Sequence, residues 1–156
     1  WVSARRDAVD EAVKKGRFSR AAKARVSADA NLADLVEDRL RVKCLDLLGL
    51  ARRSGNLTAG FEKVKAMLAA DDAVVLLAAA DGAADGREKL ARLAADLPLV
   101  TLFGVAELSL ALGRENVVHA ALSSGGLAER FLRETVRLAG FCGDRENDPT
   151  TQQAVE

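Results

Sequence analysis

The chain has 156 residues, 49% hydrophobic and 29% charged, with 23 Lys/Arg balanced by 23 Asp/Glu. That length holds one full domain, or one domain plus an extension. No apolar run reaches the ~18 residues of a membrane helix, and the start does not resemble a signal peptide, so no membrane partner is expected.

The zero net charge hides an uneven distribution. Residues 1–28 carry eight Lys/Arg and three Asp/Glu, a net +5, while residues 44–156 carry a net −4. A basic amino-terminal segment suits a polyanionic partner, and a solvated basic surface explains it equally. Cys44 and Cys142 are the only cysteines and lack metal-type spacing. They read as ordinary reduced residues, which makes a cytoplasmic protein the default. The chain begins at Trp1 rather than Met and reads as a fragment or trimmed product.

Trp1 and Val2 read as the tail of a strand whose partners would lie upstream. Residues 6–15 predict an amphipathic helix with Ala8, Val9, Ala12 and Val13 on its apolar face, ended by Gly16. The segment Arg17-Phe18-Ser19-Arg20-Ala21-Ala22-Lys23-Ala24-Arg25 follows, basic with one aromatic. Such a mixture contacts phosphates and stacks a base, though Phe18 serves equally as a core anchor. Asn31 is a good helix N-cap. From Leu32, the apolar residues Leu35, Val36, Leu40, Cys44, Leu47, Leu48 and Ala51 recur at helical spacing. One helix over residues 32–53, shared by both parts of the chain, absorbs Gly49 at ~1 kcal/mol.

The stretch Leu47 to Leu68 organises the rest. Arg52, Arg53, Ser54, Gly55 and Asn56 form a basic turn, with Gly55 suited to a left-handed helix end. Leu57-Thr58-Ala59 is long enough only for an edge strand. Gly60 precedes a helix with Phe61, Val64, Met67 and Leu68 on one face and Lys63 and Lys65 off it. A helix start offers free N–H groups and a positive dipole end, both suited to phosphate. Residues 73–80 then form an apolar run typical of a strand buried on both faces. A helix follows over residues 85–97 with Leu90, Leu93 and Leu97 inward, then a second buried strand over residues 99–103. A short helix within residues 104–113, a third strand over 116–122, a turn at Ser123-Ser124-Gly125-Gly126 and a closing helix over 127–140 complete the order. Strands alternating with helices predict a layered α/β fold. The polar tail over residues 143–156, with Asp144, Glu146, Asp148 and Glu156, is expected to be disordered.

This order resembles the L-seven-Ae family of kink-turn RNA-binding domains, found in large-subunit ribosomal proteins and their bacterial relatives. The resemblance covers roughly Arg39 to Phe141. It implies a three-layer α/β/α sandwich, in which a glycine opens the second helix and the polar residues after it read RNA. The matching window is Gly60-Phe61-Glu62-Lys63-Val64-Lys65-Ala66. The family's usual window has Asn and Glu at the third and fourth places and Lys at the seventh. Glu62, Lys63 and Ala66 stand there in this chain, which bears on the RNA target and not on the fold. The resemblance further implies RNA contacts over Arg52, Arg53, Asn56, Gly60, Phe61, Glu62, Lys63 and Lys65, and over Gly113 and Arg114 on the facing loop.

Trp1-Val2, the helix after it and Gly16-Arg17-Phe18-Ser19-Arg20-Ala21 look like the end of the YlxR family, small bacterial proteins linked to nucleic-acid binding. The family's amino-terminal half and its Gly-Arg-Gly are absent. The two types are found fused in some bacteria. The implied organisation is a truncated YlxR-like segment (1–38), an L-seven-Ae-like domain (39–142) and the tail (143–156). Arg17, Arg20 and Lys23 would be the RNA-contacting cations of the first.

No catalytic constellation stands out. The one histidine, His119, lies in a strand and reads as structural. No GxSxG, HExxH or Walker A sequence occurs. Asp81, Asp85 and Glu88 lie close enough for a cation, but acids in a loop and first helical turn are ordinary. Ser123–Gly126 suits a phosphate or a plain turn. The leading expectation is a non-catalytic RNA-binding protein with no cofactor and no metal. It would recognise structured or single-stranded RNA in translation, ribosome assembly or RNA processing, with ribosomal or processing proteins as further partners. The alternative is a protein-interaction module of such a complex; an accessory domain of an RNA-modifying enzyme is a third.

Overall fold

A computed structural model describes residues 1–143. In chain order the elements are α1 (Arg6–Lys14), α2 (Arg17–Ala22), α3 (Leu32–Arg53), β1 (Leu57–Ala59), α4 (Phe61–Ala69), β2 (Ala73–Ala78), α5 (Ala84–Ala94), β3 (Leu99–Val100), α6 (Val105–Leu112), β4 (His119–Ser123) and α7 (Gly126–Cys142). They form two units: Lys43–Thr135, and Trp1–Val42 with residues 136–143. The tail expected to be disordered lies, from residue 144 onward, outside the described residues.

The larger unit is built on a four-stranded sheet of order β1-β4-β2-β3. β4 pairs antiparallel with β1 and β2, and β2 pairs parallel with β3. The register sets Leu76 beside Ala121, and Val75 beside Leu122 with Leu77 beside Ala120. Alternation in a strand sends these to opposite faces. Leu76 and Ala121 share one cluster with Val64 and Leu68 of α4 and Leu90 and Ala94 of α5. On the other face, Val75, Leu77, Ala120 and Leu122 are buried, as are Cys44, Leu47, Leu48, Leu108, Leu112 and Phe131 on α3, α6 and α7. The result is the α/β/α sandwich, with β2 and β4 central. Their position explains why residues 73–80 carry no alternation: both faces are covered.

In the other unit, Val9, Ala33 and Phe141 pack with Leu32, Val36 and Leu40. Arg6 crosses this small core. Its guanidinium pairs with Asp34 at 2.7 Å and with the buried Glu37 at 2.6 Å, and its Nε donates to the Phe141 carbonyl at 3.2 Å. Burial opposes the charge on Arg6, and hydrogen bonds to Asp34 and Glu37 outweigh that, so its pKa is raised. A Cβ at Gly140 would overlap the carbonyl of Ala4, so glycine there lets two backbones touch.

Several elements differ from their sequence-based expectation. Residues 1–2 form no strand, and Trp1 is fully exposed. Part of the basic segment is helical, as α2, opened by Gly16 at φ +59° and closed by Lys23 at φ +51°. α3 is continuous over residues 32–53 as expected, but Leu35 is 51% exposed. α5 stops at Ala94 because Ala95 takes φ +48°, and Leu93 faces outward at 47% exposure. The strand expected over residues 99–103 is two residues long, with Val100 buried and Leu99 exposed, because it forms the sheet edge beside β2 only. β4 begins at His119 rather than residue 116. Asn116 takes φ +51°, and the Val117 N–H is drawn to Ser109 Oγ at 3.0 Å.

Candidate nucleic-acid interface

Two helix ends of the larger unit are shaped alike. At the end of α3, Gly55 takes φ +77°, its N–H donates to the Arg52 carbonyl at 3.1 Å, and the Asn56 N–H donates to that of Ala51 at 2.8 Å. At the end of α6, Gly113 takes φ +54°, its N–H donates to the Leu110 carbonyl at 3.2 Å, and the Arg114 N–H donates to that of Ser109 at 3.0 Å. Both are Schellman closures, in which a left-handed residue turns the chain back and satisfies the last carbonyls.

The two turns are joined by their arginines. Arg52 Nη1 donates to the Leu112 carbonyl, and a Cβ at Gly113 would stand 3.0 Å from that same nitrogen. Arg114 Nη1 reaches the Ala59 carbonyl at 3.4 Å, a long contact. Ala59 closes β1, and the next residue caps α4. Gly60, at φ +103°, ψ 144°, donates its N–H to the His119 carbonyl at 2.9 Å. Arg52, Gly60, Gly113 and Arg114, separated by up to 62 positions in the chain, therefore gather at one end of the sheet.

The first turns of α4 continue this surface. The side chains of Glu62, Lys63 and Lys65 are exposed and make no hydrogen bond or ion pair among the described residues. Arg53 is likewise exposed and without an ionic partner there. Asn56 is committed differently: its carbonyl accepts from the Ser123 N–H at 3.0 Å and its amide donates to Ser54 Oγ at 3.2 Å. Phe61 is half-buried and meets His119 edge to face, ring centroids 5.8 Å apart. It supports the α4 start and keeps part of its surface exposed. Of the expected contact residues in this unit, the cations and Glu62 are available to a ligand. Asn56 and Phe61 mainly hold the turn.

His119 lies beneath that support. It is buried, and its Nε2 has no hydrogen-bond partner among the described residues. Burial holds its pKa below the ordinary imidazole value. A Cβ at Gly86 would come within 2.9 Å of its Cε1, so glycine lets α5 pass directly over the ring.

Arg17, Arg20 and Lys23 belong to the other unit. Arg17 pairs with Glu11 at 3.2 Å, and Lys15 shares that carboxylate at 2.6 Å. Lys15 draws the Glu11 pKa down. Lys15, Arg17 and Arg20 line one exposed basic hollow, and Lys23 is exposed at the end of α2. Of the acids weighed for a cation, Asp81 accepts from the Val105 N–H at 2.8 Å, and Asp85 pairs with Lys89 at 2.7 Å. No cluster of three metal-type ligands occurs among the described residues. No helix there is long and apolar enough to cross a membrane.

Two cations that sequence reasoning did not single out, Lys89 and Arg92, lie away from the turn surface. They line an open groove with Phe61, Lys65 and Leu93. Their spacing of three along one helix was the available signal. Acids four residues earlier, Asp85 and Glu88, disguise them as self-contained helix pairs.

No model of a known protein family and no curated protein matches the chain. Solved structures do. A protein of unknown function from Bacillus halodurans is similar over 60% of this chain and 97% of its own length, with 22% identity and a TM-score of 0.57. A Giardia lamblia 15.5kD RNA binding protein is similar over 66% of this chain and 90% of its own, with 16% identity and a TM-score of 0.53. At these identities the likeness is one of fold, and this chain shares its α/β fold with a solved RNA-binding protein.

Proposed function

We propose that the chain is an RNA-binding protein without catalytic activity, an L-seven-Ae-like domain preceded by a YlxR-like remnant. The observation that carries this reading is the convergence of Arg52, Arg114 and the α4 start, flanked by the exposed Lys63 and Lys65. Two cations tethered to backbone carbonyls and a helix N-terminus make a fixed positive frame for phosphates. Lys63 and Lys65 add mobile donors for phosphate or guanine O6 and N7. Glu62 accepts from an exposed base amino group. Structured or single-stranded RNA fits better than continuous duplex, whose deep major groove hides base edges. The likeness to a solved RNA-binding protein supports the same reading.

The basic helix α2, with Arg17, Arg20 and Lys23, supports a second RNA contact within the remnant, taken as residues 1–38 ahead of the domain at 39–142. The setting would be a bacterial cytoplasm, in translation, ribosome assembly or RNA processing. A second reading, a protein-interaction module, is favoured by Leu110, which stands 86% exposed on α6. Titrating a kink-turn RNA at rising salt separates the two. The RNA reading expects binding that weakens steeply with salt; absent binding, or a flat response, would favour the protein partner.

A further inference from the structure

Beyond the turn region, α4 and α5 lie side by side over the same sheet face. Between their outer surfaces runs an open groove of about 510 Å³, lined by Phe61, Lys65, Lys89, Arg92 and Leu93. Phe61 and Lys65 are one turn apart on α4; Lys89, Arg92 and Leu93 share one face of α5. Three cations thus surround an apolar floor, and Leu93 keeps 47% of its surface exposed. The acids that pair with Lys89 and Arg92, at 2.7 and 3.8 Å, lie four residues back along α5 and outside the lining. Exposed pairs of this kind are weak and screened by salt, so either cation can turn to a phosphate.

We propose that this groove takes a single-stranded extension of the RNA bound at the start of α4. This rests on the RNA-binding reading above and extends it to residues outside the expected contact set. Lys65 and Phe61 belong to both surfaces, so a strand leaving the α4 start enters the groove without a gap. Lys65, Lys89 and Arg92 receive successive phosphates, and a base lies against Leu93 and the exposed part of Phe61. Cations around an apolar floor are the general form of a single-strand site. A purely acidic peptide would leave Phe61 and Leu93 uncovered, whereas each nucleotide brings a phosphate for the cations and a base for the floor.

The test uses the full chain and two fluorescein-labelled probes: a kink-turn hairpin RNA, and the same RNA carrying an oligouridine tail of about eight nucleotides at either end. The variant is Lys89→Gln/Arg92→Gln; Lys65 is left intact because the turn surface shares it. The expected result is a tail that tightens wild-type binding about tenfold, as stacking and phosphate contacts supply. The variant loses that gain while binding the tailless hairpin as wild type does. A tail without effect, or a gain that survives in the variant, overturns the proposal. So does polyglutamate that competes with the tail as well as free oligouridine does at equal ionic strength. A hairpin that fails to bind while oligouridine alone binds through Lys89 and Arg92 sinks the structured-RNA reading and overturns the extension, since the groove then takes a single strand in its own right. If neither probe binds, both fall.

Discussion

At the residue scale, the window after Gly60 sets what the α4 start can read. Asn donates and accepts at one base edge, whereas ionised Glu62 only accepts. Lys63 stands where an acceptor is usual in the resembled family, and it suits phosphate or guanine over a range of geometries. Neither side chain is held by a neighbour among the described residues, so neither is pre-organised. Changing Lys63 and Lys65 both to Ala should weaken several RNA shapes to a similar extent. Glu62→Asn should sharpen the preference for a kinked RNA. Titrating a kink-turn RNA and its unkinked mutant checks both. Wild-type discrimination already at a hundredfold, about 2.7 kcal/mol, would contradict the expectation. Gly60 is a separate case. Its φ of +103° belongs to a region that L side chains rarely adopt, and nothing lies within 4 Å of an added Cβ. Gly60→Ala should therefore destabilise through backbone strain alone, by about 1–3 kcal/mol, read as a shift in urea midpoint with unchanged slope.

At the element scale, two features are held by polar groups in unusual surroundings. Arg6 of α1 neutralises Glu37 of α3, whose carboxylate is 2% exposed as a residue. Arg6→Ala removes the 2.6 Å partner of that buried charge and leaves Arg41 and Cys142 Sγ at 3.8 Å. The expected loss is about 3 kcal/mol, and Glu37→Gln in the Arg6→Ala background should recover part of it. Denaturant melts of the two single variants and the double variant measure the coupling. His119, beneath Phe61 and α5, gives a pH dependence. Burial lowers its folded pKa, so the folded chain resists a proton that the unfolded chain accepts. Above the ordinary imidazole value of about 6.5, the two states are alike and this term is flat. As pH falls below that value stability should drop, until the folded pKa is reached. His119→Gln should flatten this part of the profile in chemical melts from pH 8 to 5. A wild-type curve with equal slope in the variant would mean that other groups set it.

For the molecule as a whole, a formal charge of zero predicts no general attraction to RNA, so affinity must come from local clusters. The logarithm of affinity should fall with the logarithm of salt by about 0.7 per phosphate contact on single strands, and removing Lys63 and Lys65 should reduce that slope by roughly 1.4. Fluorescence anisotropy at several salt concentrations reads it; an unchanged slope would place the contacts elsewhere.

The layered architecture was legible in the sequence because its signals are local. The helical spacing from Leu32 to Ala51, the unbroken apolar run of β2 and the glycine at 55 each announce their conformation within a few residues. Expectation failed where neighbours in space override local pattern. Leu35 and Leu93 keep helical spacing yet face solvent. Residues 99–103 have strand composition, but an edge position supplies partners for two of them. The candidate site divides in the same way. The cations near Gly60 follow from chain order, since they are consecutive. The tether of Arg52 to Leu112, the reach of Arg114 to Ala59 and the placing of Lys89 and Arg92 beside Lys65 do not. Those pairings depend on how strands are ordered in the sheet and which helices share a face. The free energy that selects the order comes from burying Leu76 on one face of the sheet and Leu77 and Phe131 on the other, a sum over distant residues that no short window contains.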